Sequence, residues 1–316
     1  LPAEALSQRV DYIFADQNFD PNRLLVIENT ASSSPAGYEG MLETSAAYIS
    51  MDALLSEQVR LSAGVRQESG KQEINTYDLF TGKDSIVEKT LDEDYALPAF
   101  TLTYLPDGSE NLQIRLGVSK TIARPTFREL SPTLFIDPDT DRVVAGSLYL
   151  ENSEIDNIDL RAEYYFDLNQ FLTIGAFYKE IDKPIEETVN EIGDLIVTTF
   201  QNVPKAELSG FEFEYERIFD GFESVWASSK EFMLKVNYTF TDSEILIGSG
   251  DTFINSGGVV TSAASLLANG RDPRIQGQAE NIFNLQFGYD DYSVNSKATV
   301  IVNYVDDRVR ARGLDV

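Results

Sequence analysis

The stretch Val59-Arg60-Leu61-Ser62-Ala63-Gly64-Val65-Arg66 alternates with a period of two, setting Val, Leu, Ala and Val against Arg, Ser, Gly and Arg. Successive side chains of an extended chain point to opposite faces, so this reads as a strand with one apolar and one polar face. Working outward, Leu112-Gln113-Ile114-Arg115-Leu116-Gly117-Val118-Ser119 divides in the same way. Ile158-Asp159-Leu160-Arg161-Ala162-Glu163-Tyr164 and Leu172-Thr173-Ile174-Gly175-Ala176 follow. Phe211-Glu212-Phe213-Glu214-Tyr215-Glu216 sets three carboxylates opposite three aromatic rings. Phe232 to Phe240, Phe283 to Tyr289 and Ala298 to Tyr304 close the series, with weaker runs at Ala47 to Met51 and Ala99 to Tyr104. The pattern predicts about ten antiparallel strands, each near the roughly 9 to 11 residues that a tilted membrane strand needs.

A soluble β-sandwich alternates too, so the connections have to separate the two architectures. Short ones lie near Asp52 to Gln58, Pro106 to Glu110, Asp167 to Gln170 and Asp290 to Ser296. Between them come long ones of roughly 20 to 33 residues, near Gly70 to Tyr95, Ile122 to Ile155, Pro184 to Val203 and Ser243 to Ile275. Tight turns at one end and long loops at the other are the habit of outer-membrane barrels, whereas sandwiches keep their loops short. The segment Ile218 to Lys230 departs from the rule, being long where a short turn is due. Tyr104, Tyr164, Phe166, Tyr215, Phe232 and Tyr289 are apolar-face residues beside the short-turn end, where an aromatic girdle would stand. In a sandwich the same rings would be core residues.

Composition narrows the function classes. The chain has 316 residues, 42% hydrophobic, and a formal charge of −27, so it is apolar enough to fold and too acidic to neutralise the phosphates of a nucleic acid. It contains no Cys and no His. That removes disulfides, thiolate metal sites, the commonest zinc ligand and every imidazole-based triad, including those of outer-membrane lipases and proteases. No G-x-S-x-G, S-x-x-K or phosphate-cradling glycine loop occurs, so an enzyme is not expected and no cofactor is implied. No stretch reaches the roughly 18 to 20 uninterrupted apolar residues of a spanning helix.

Both ends of the chain, Leu1 to Gly40 and Arg308 to Val316, read as loop on the long-connection side, and the Leu1-Pro2-Ala3-Glu4 start has no leader character. Single-chain bacterial barrels have an even number of strands and both termini in the periplasm. The expectation is therefore an incomplete barrel, residues 1–316 being one piece of it, with an odd number of strands missing at each end.

Ser119-Lys120-Thr121-Ile122-Ala123-Arg124-Pro125 leading into a long loop, Asn157-Ile158-Asp159-Leu160-Arg161-Ala162-Glu163-Tyr164 returning from it, and Ala176-Phe177-Tyr178-Lys179-Glu180-Ile181-Asp182-Lys183-Pro184-Ile185 after that resemble the C-terminal barrel of TonB-dependent receptors. Gly64-Val65-Arg66-Gln67-Glu68, Leu97-Pro98-Ala99-Phe100, Ala206 to Glu214 and Arg274-Ile275-Gln276-Gly277-Gln278 match further motifs in the family's order, together spanning Tyr38 to Gly313. Where that family has G-N-P-x-L, this chain has Gly146-Ser147-Leu148-Tyr149-Leu150. The resemblance implies a 22-strand barrel in the outer membrane of a Gram-negative bacterium, with a plug domain and TonB box that lie outside this sequence. It further implies energised import of a scarce solute such as an iron chelate, cobalamin or a glycan. The implied partners are the TonB complex through the plug, a small-molecule ligand, and outer-membrane lipid and lipopolysaccharide. The alternative from the alternation alone is a soluble or surface-anchored all-β binding module, lectin-like or adhesin.

Arg60, Arg66, Arg115, Arg161, Glu163, Lys179, Glu212, Glu214, Glu216 and Lys235 fall opposite the apolar face, hence in the lumen. They are expected to form cross-strand ion pairs and hold the plug, and as candidates some line the ligand's path. Asp137-Pro138-Asp139-Thr140-Asp141 has the acidic opening of a calcium loop but Arg142 in the sixth place and Leu148 in the twelfth, where Gly and Glu belong. It reads instead as a solvated acidic loop or a cation bridge to lipopolysaccharide. Arg124 and Pro125 read as a strand end, because Pro cannot continue the ladder.

Overall fold

A computed structural model describes residues 37–78, 82–108, 111–138, 141–192, 195–220 and 230–313. Ten strands form one antiparallel sheet: β1 (Gly37–Leu54), β2 (Val59–Asp78), β3 (Gly82–Tyr104), β4 (Leu112–Ala123), β7 (Ser153–Asp167), β8 (Gln170–Asp182), β11 (Lys205–Asp220), β12 (Lys230–Leu246), β15 (Asn281–Asp291) and β16 (Ser296–Val305). They neighbour one another in chain order, and among the described residues β1 and β16 remain the two edges of an unclosed sheet.

Three of the tight turns at one end owe their shape to residues that tolerate a left-handed backbone. Asn169 (φ 59°) sits between β7 and β8, Asn295 (φ 52°) between β15 and β16, and Gly108 (φ 74°) between β3 and β4. The Ile218 to Lys230 connection falls mostly on residues outside those described.

Cross-strand partners share a face, so the register can be followed across the sheet. One row runs Ala53, Leu61, Leu102, Leu116, Leu160, Ala176, Phe211, Phe240. Val59, Val65, Leu112, Ile114, Leu234, Val236, Leu285, Val300 and Val302 lie on the same face. Among the described residues no second sheet packs on it: Leu160 is 50% exposed, Ile174 54% and Val300 58%. A sandwich core would bury these residues, and that alternative is thereby excluded. Aromatic rings group at the short-turn end of this face, with Phe166 edge-on to Tyr164 at 5.1 Å and Tyr215 at 6.0 Å, and Phe232 against Tyr289 at 5.2 Å. Arg217 also lies on this face, opposite Leu234, with its guanidinium 4.7 Å from the Phe166 ring centre.

The long connections are not the unstructured loops that the sequence suggests. Most of Gly70 to Tyr95 continues β2 and β3 as a hairpin of 20- and 23-residue strands. Its outward residues there are Lys71, Glu73 and Asn75, so the apolar half of the alternation disappears and the segment reads as loop. Ile122 to Ile155 holds the four-residue helix α1 (Phe127–Leu130), capped by Thr126 and Glu129, then β5 (Phe135–Ile136) and β6 (Val143–Val144). Pro184 to Val203 forms the hairpin β9 (Ile185–Ile192) and β10 (Leu195–Asn202). Ser243 to Ile275 holds the hairpin β13 (Thr252–Ile254) and β14 (Val260–Ser262) and a 3-10 helix (Ala263–Gly270). With β17 (Arg312–Gly313) from the segment after β16, strands from two of these connections make a second sheet in the order β17-β9-β10-β6-β5.

These connections fold back onto the polar face, where two small cores bury them. Ile74 and Leu91 receive Leu130 and Leu150, while Ala206 and Ile245 receive Val203, Phe253, Ala263 and Leu266.

Candidate functional site

Register places all ten predicted charged residues on the polar face. Its centre is Glu163, 6% exposed. Arg115 and Arg161 stand directly opposite each other on β4 and β7, an arrangement of like charges that alone is unfavourable. Glu163 resolves it, with Arg161 at 2.8 Å and Arg115 at 3.6 Å. Gln113 Nε2 and the Tyr165 hydroxyl, the latter at 3.0 Å, donate to the same carboxylate. Arg161 also crosses β8, which offers only Gly175 and Thr173 between them, and donates to Glu214 on β11 at 3.1 Å. Asn237 Nδ2 donates to Glu214 at 3.3 Å, and Asn284 Nδ2 to Asn237 at 3.4 Å. A polar ribbon thus runs continuously from β4 to β15, and Lys235 with Glu216 at 2.5 Å lies beside it.

The other candidates stand apart from the ribbon. Arg60 pairs with Asp52 at 3.0 Å, Arg66 with Glu68 at 2.7 Å, and Lys179 donates to Asn157 at 2.7 Å. Glu212 lines a depression of about 220 Å³ with Arg115 and Arg161, yet has no ion-pair partner among the described residues. All three carboxylates of β11 thus face the polar side, Glu214 and Glu216 in ion pairs and Glu212 beside Arg115 and Arg161 without one. A second depression of about 270 Å³ is lined by Glu214, Glu216, Lys235, Asn237, Asn284 and Asn303 among others.

Sequence reasoning on charge alone missed Gln113, Tyr165, Asn237, Asn284 and Asn303. Their signal was available: Asn284 and Asn303 alternate with Phe283, Leu285, Val302 and Tyr304, which puts them on the polar face. Arg124, just past the end of β4, is also a clasp, its Nη2 lying 2.8 Å from Glu68 Oε1. Of the acidic stretch Asp137 to Asp141, residues 139 and 140 lie outside those described, and the Asp141 N–H donates to the Asp137 carbonyl at 2.8 Å.

Above the ribbon the chemistry changes. Glu186 and Arg312 form an ion pair at 2.8 Å with both side chains 1% exposed. Arg312 also donates to the carbonyls of Asp272, at 2.6 Å, and Arg274. The Gln276 amide clips onto Glu187 and onto the Arg310 carbonyl, and the Gln276 N–H donates to Glu186 at 3.2 Å. Burial pushes the Glu186 carboxyl above the ordinary range, against the pull of Arg312. Two connections and the segment after β16 meet at this node.

The family model described as "TonB dependent receptor-like, beta-barrel" matches residues 5–315. In sequence, the chain matches none of the curated proteins. Among solved structures it is similar to the copper transporter OprC, with a TM-score of 0.56 and 12% identity over 87% of this chain and 37% of that one. The Serratia marcescens hemophore receptor HasR, solved as a double mutant with its hemophore and heme, gives 0.54 at 13% identity over 85% and 44%. The Acinetobacter baumannii siderophore receptor PiuA gives 0.53 at 12% over 84% and 36%. The chain spans less than half the length of these structures, and at such identities the likeness is one of fold.

Proposed function

Because the chain belongs to the TonB-dependent receptor β-barrel family of Gram-negative outer membranes, we propose that residues 1–316 are part of the barrel of a receptor that imports a scarce solute with energy delivered by TonB. In this reading the missing strands close the barrel, and a plug domain encoded elsewhere in the protein fills it and recruits TonB. The cargo is an iron chelate, cobalamin or a glycan, and outer-membrane lipid and lipopolysaccharide surround the apolar face. The observation that carries the reading is the pairing of two opposite faces in one unclosed sheet, a solvent-facing apolar belt and a polar ribbon centred on Glu163. A bilayer covers the first at no cost, and a wet lumen accepts the second. The ribbon's side chains then line the path beneath the loop assembly and contact the plug.

The test is uptake by the complete receptor in cells with and without functional TonB, using labelled ferric chelates, cobalamin and oligosaccharides in turn. One class is expected to accumulate only when TonB works. Accumulation of none of them, or equal accumulation without TonB, overturns the proposal.

A further inference from the structure

One irregularity of the sheet has no part in the ribbon. β3 and β4 pair only between Ala99–Ser119 and Tyr104–Ile114. Yet β3 continues to pair with β2 through Pro98 and beyond, and β4 with β7 up to Ala123. Pro98 has no N–H to offer a neighbouring strand, and the ladder stops where it stands. On the polar face β2 is tied across β3 to the chain just after β4. Arg124 reaches Glu68 at 2.8 Å, and Gln72 Nε2 donates to the Pro125 carbonyl at 2.8 Å.

On the apolar face the seam remains a crevice of about 520 Å³, lined by Pro98, Phe100, Val118 and Ile158, with Lys120 and Asp156 at its polar end. Phe100, Val118 and Ile158 form one cross-strand row, and Lys120 pairs with Asp156 in the next row of the same face. Lys120 lies 2.5 Å from Glu154, so charge begins where the apolar belt ends. The crevice therefore sits on the long-connection side, at the height where hydrocarbon gives way to headgroups.

We propose that this crevice binds one acyl chain of an outer-leaflet lipid, its headgroup at the level of Lys120. Away from its polar end the hollow offers water few partners, and left empty it forfeits the dispersion contacts of its apolar lining. An apolar cavity of about 150 Å³ already holds a benzene-sized molecule, so this one has ample room for several methylenes. The hollow opens among side chains that face the bilayer, where hydrocarbon chains are the abundant solute. The inference rests on the membrane placement of that face.

The complete receptor, reconstituted in liposomes, re-extracted in mild detergent and weighed by native mass spectrometry, tests it. The wild type is expected to retain one lipid adduct. Ala63→Phe, which fills the crevice from its lower edge, is expected to lower the adduct at least fivefold, and Val302→Phe, elsewhere on the same face, to leave it unchanged. Bromination of the acyl chains is expected to quench Phe100→Trp after extraction and to spare Leu285→Trp, each set in a receptor whose other Trp residues are replaced by Phe. A receptor that enters liposomes yet carries no adduct, or the same adduct in Ala63→Phe, overturns the lipid site alone. A folded receptor that does not enter liposomes overturns the membrane placement with it.

Discussion

The lower wall and the loop assembly above it are built by opposite rules. In the wall the large side chains stay exposed on the outer face, Ile49 at 72% and Leu160 at 50%, and the charges of the ribbon face inward in ion pairs that remain partly exposed. In the loop assembly Leu130, Leu150 and Leu266 are at most 1% exposed, and the charged pair Glu186–Arg312 is equally buried. The wall relies on hydrocarbon outside it for burial, so its strands need only alternate. The loop assembly stands beyond the bilayer and has to supply its own core and satisfy its own polar groups, as a soluble domain does.

Breaking the comparison in the complete receptor takes the largest effect first. Arg312→Ala leaves Glu186 buried and unpaired, which costs about 3 to 5 kcal/mol. Amide exchange in β9 and β10 should accelerate by about a hundredfold or more, while the wall keeps its heat-modifiable mobility on gels. Unchanged exchange would mean that the node does not hold the two connections and the C-terminal segment together.

Leu266→Ala comes next, at about 2 to 5 kcal/mol for a large-to-small change in a packed core. It too should raise exchange in the segment from Thr252 to Gly270 and leave barrel assembly alone; loss of assembly would show that loops and wall fold as one unit. In the wall the sensitive change is one of polarity. Phe213→Arg sets a cation on the apolar face at about 2 to 4 kcal/mol and is expected to abolish membrane insertion in a heat-modifiability assay. Normal insertion of that variant would reverse the assignment of faces.

Glu214→Gln has the smallest effect. Glu214 is 36% exposed, and Arg161 keeps Glu163 as its partner, so the loss is at most about 1 kcal/mol. Assembly should be intact and any change confined to solute uptake. Failure to assemble would mark the ribbon as structural throughout.

The candidate site was legible in part. Alternation placed all ten charged residues on one face because parity along a strand needs no knowledge of the partner strand. Which of them meet could not be read, because pairing depends on register across strands distant in sequence. Glu163 lies two residues from Arg161, but its bond from Gln113 spans fifty positions. Glu212, in an identical alternating context to Glu214, forms no ion pair among the described residues for the same reason. The long β2–β3 connection looks like loop in the sequence because outside the bilayer its outward residues turn polar, which erases the apolar half of the signal. Ile74 and Leu91 are apolar on the inner face, and only the loops packed on them explain why.

By itself, then, the sequence determined the strand type, the two faces, the number of wall strands and the family, since all of these are written in period two and in short local motifs. The tertiary structure alone decided the register, the continuity of the ribbon, the seam at Pro98 and the burial of Glu186 with Arg312. The physical reason is range. A strand's faces follow from local backbone geometry, whereas ion pairs, packed cores and broken ladders exist only once residues far apart in the chain are brought together.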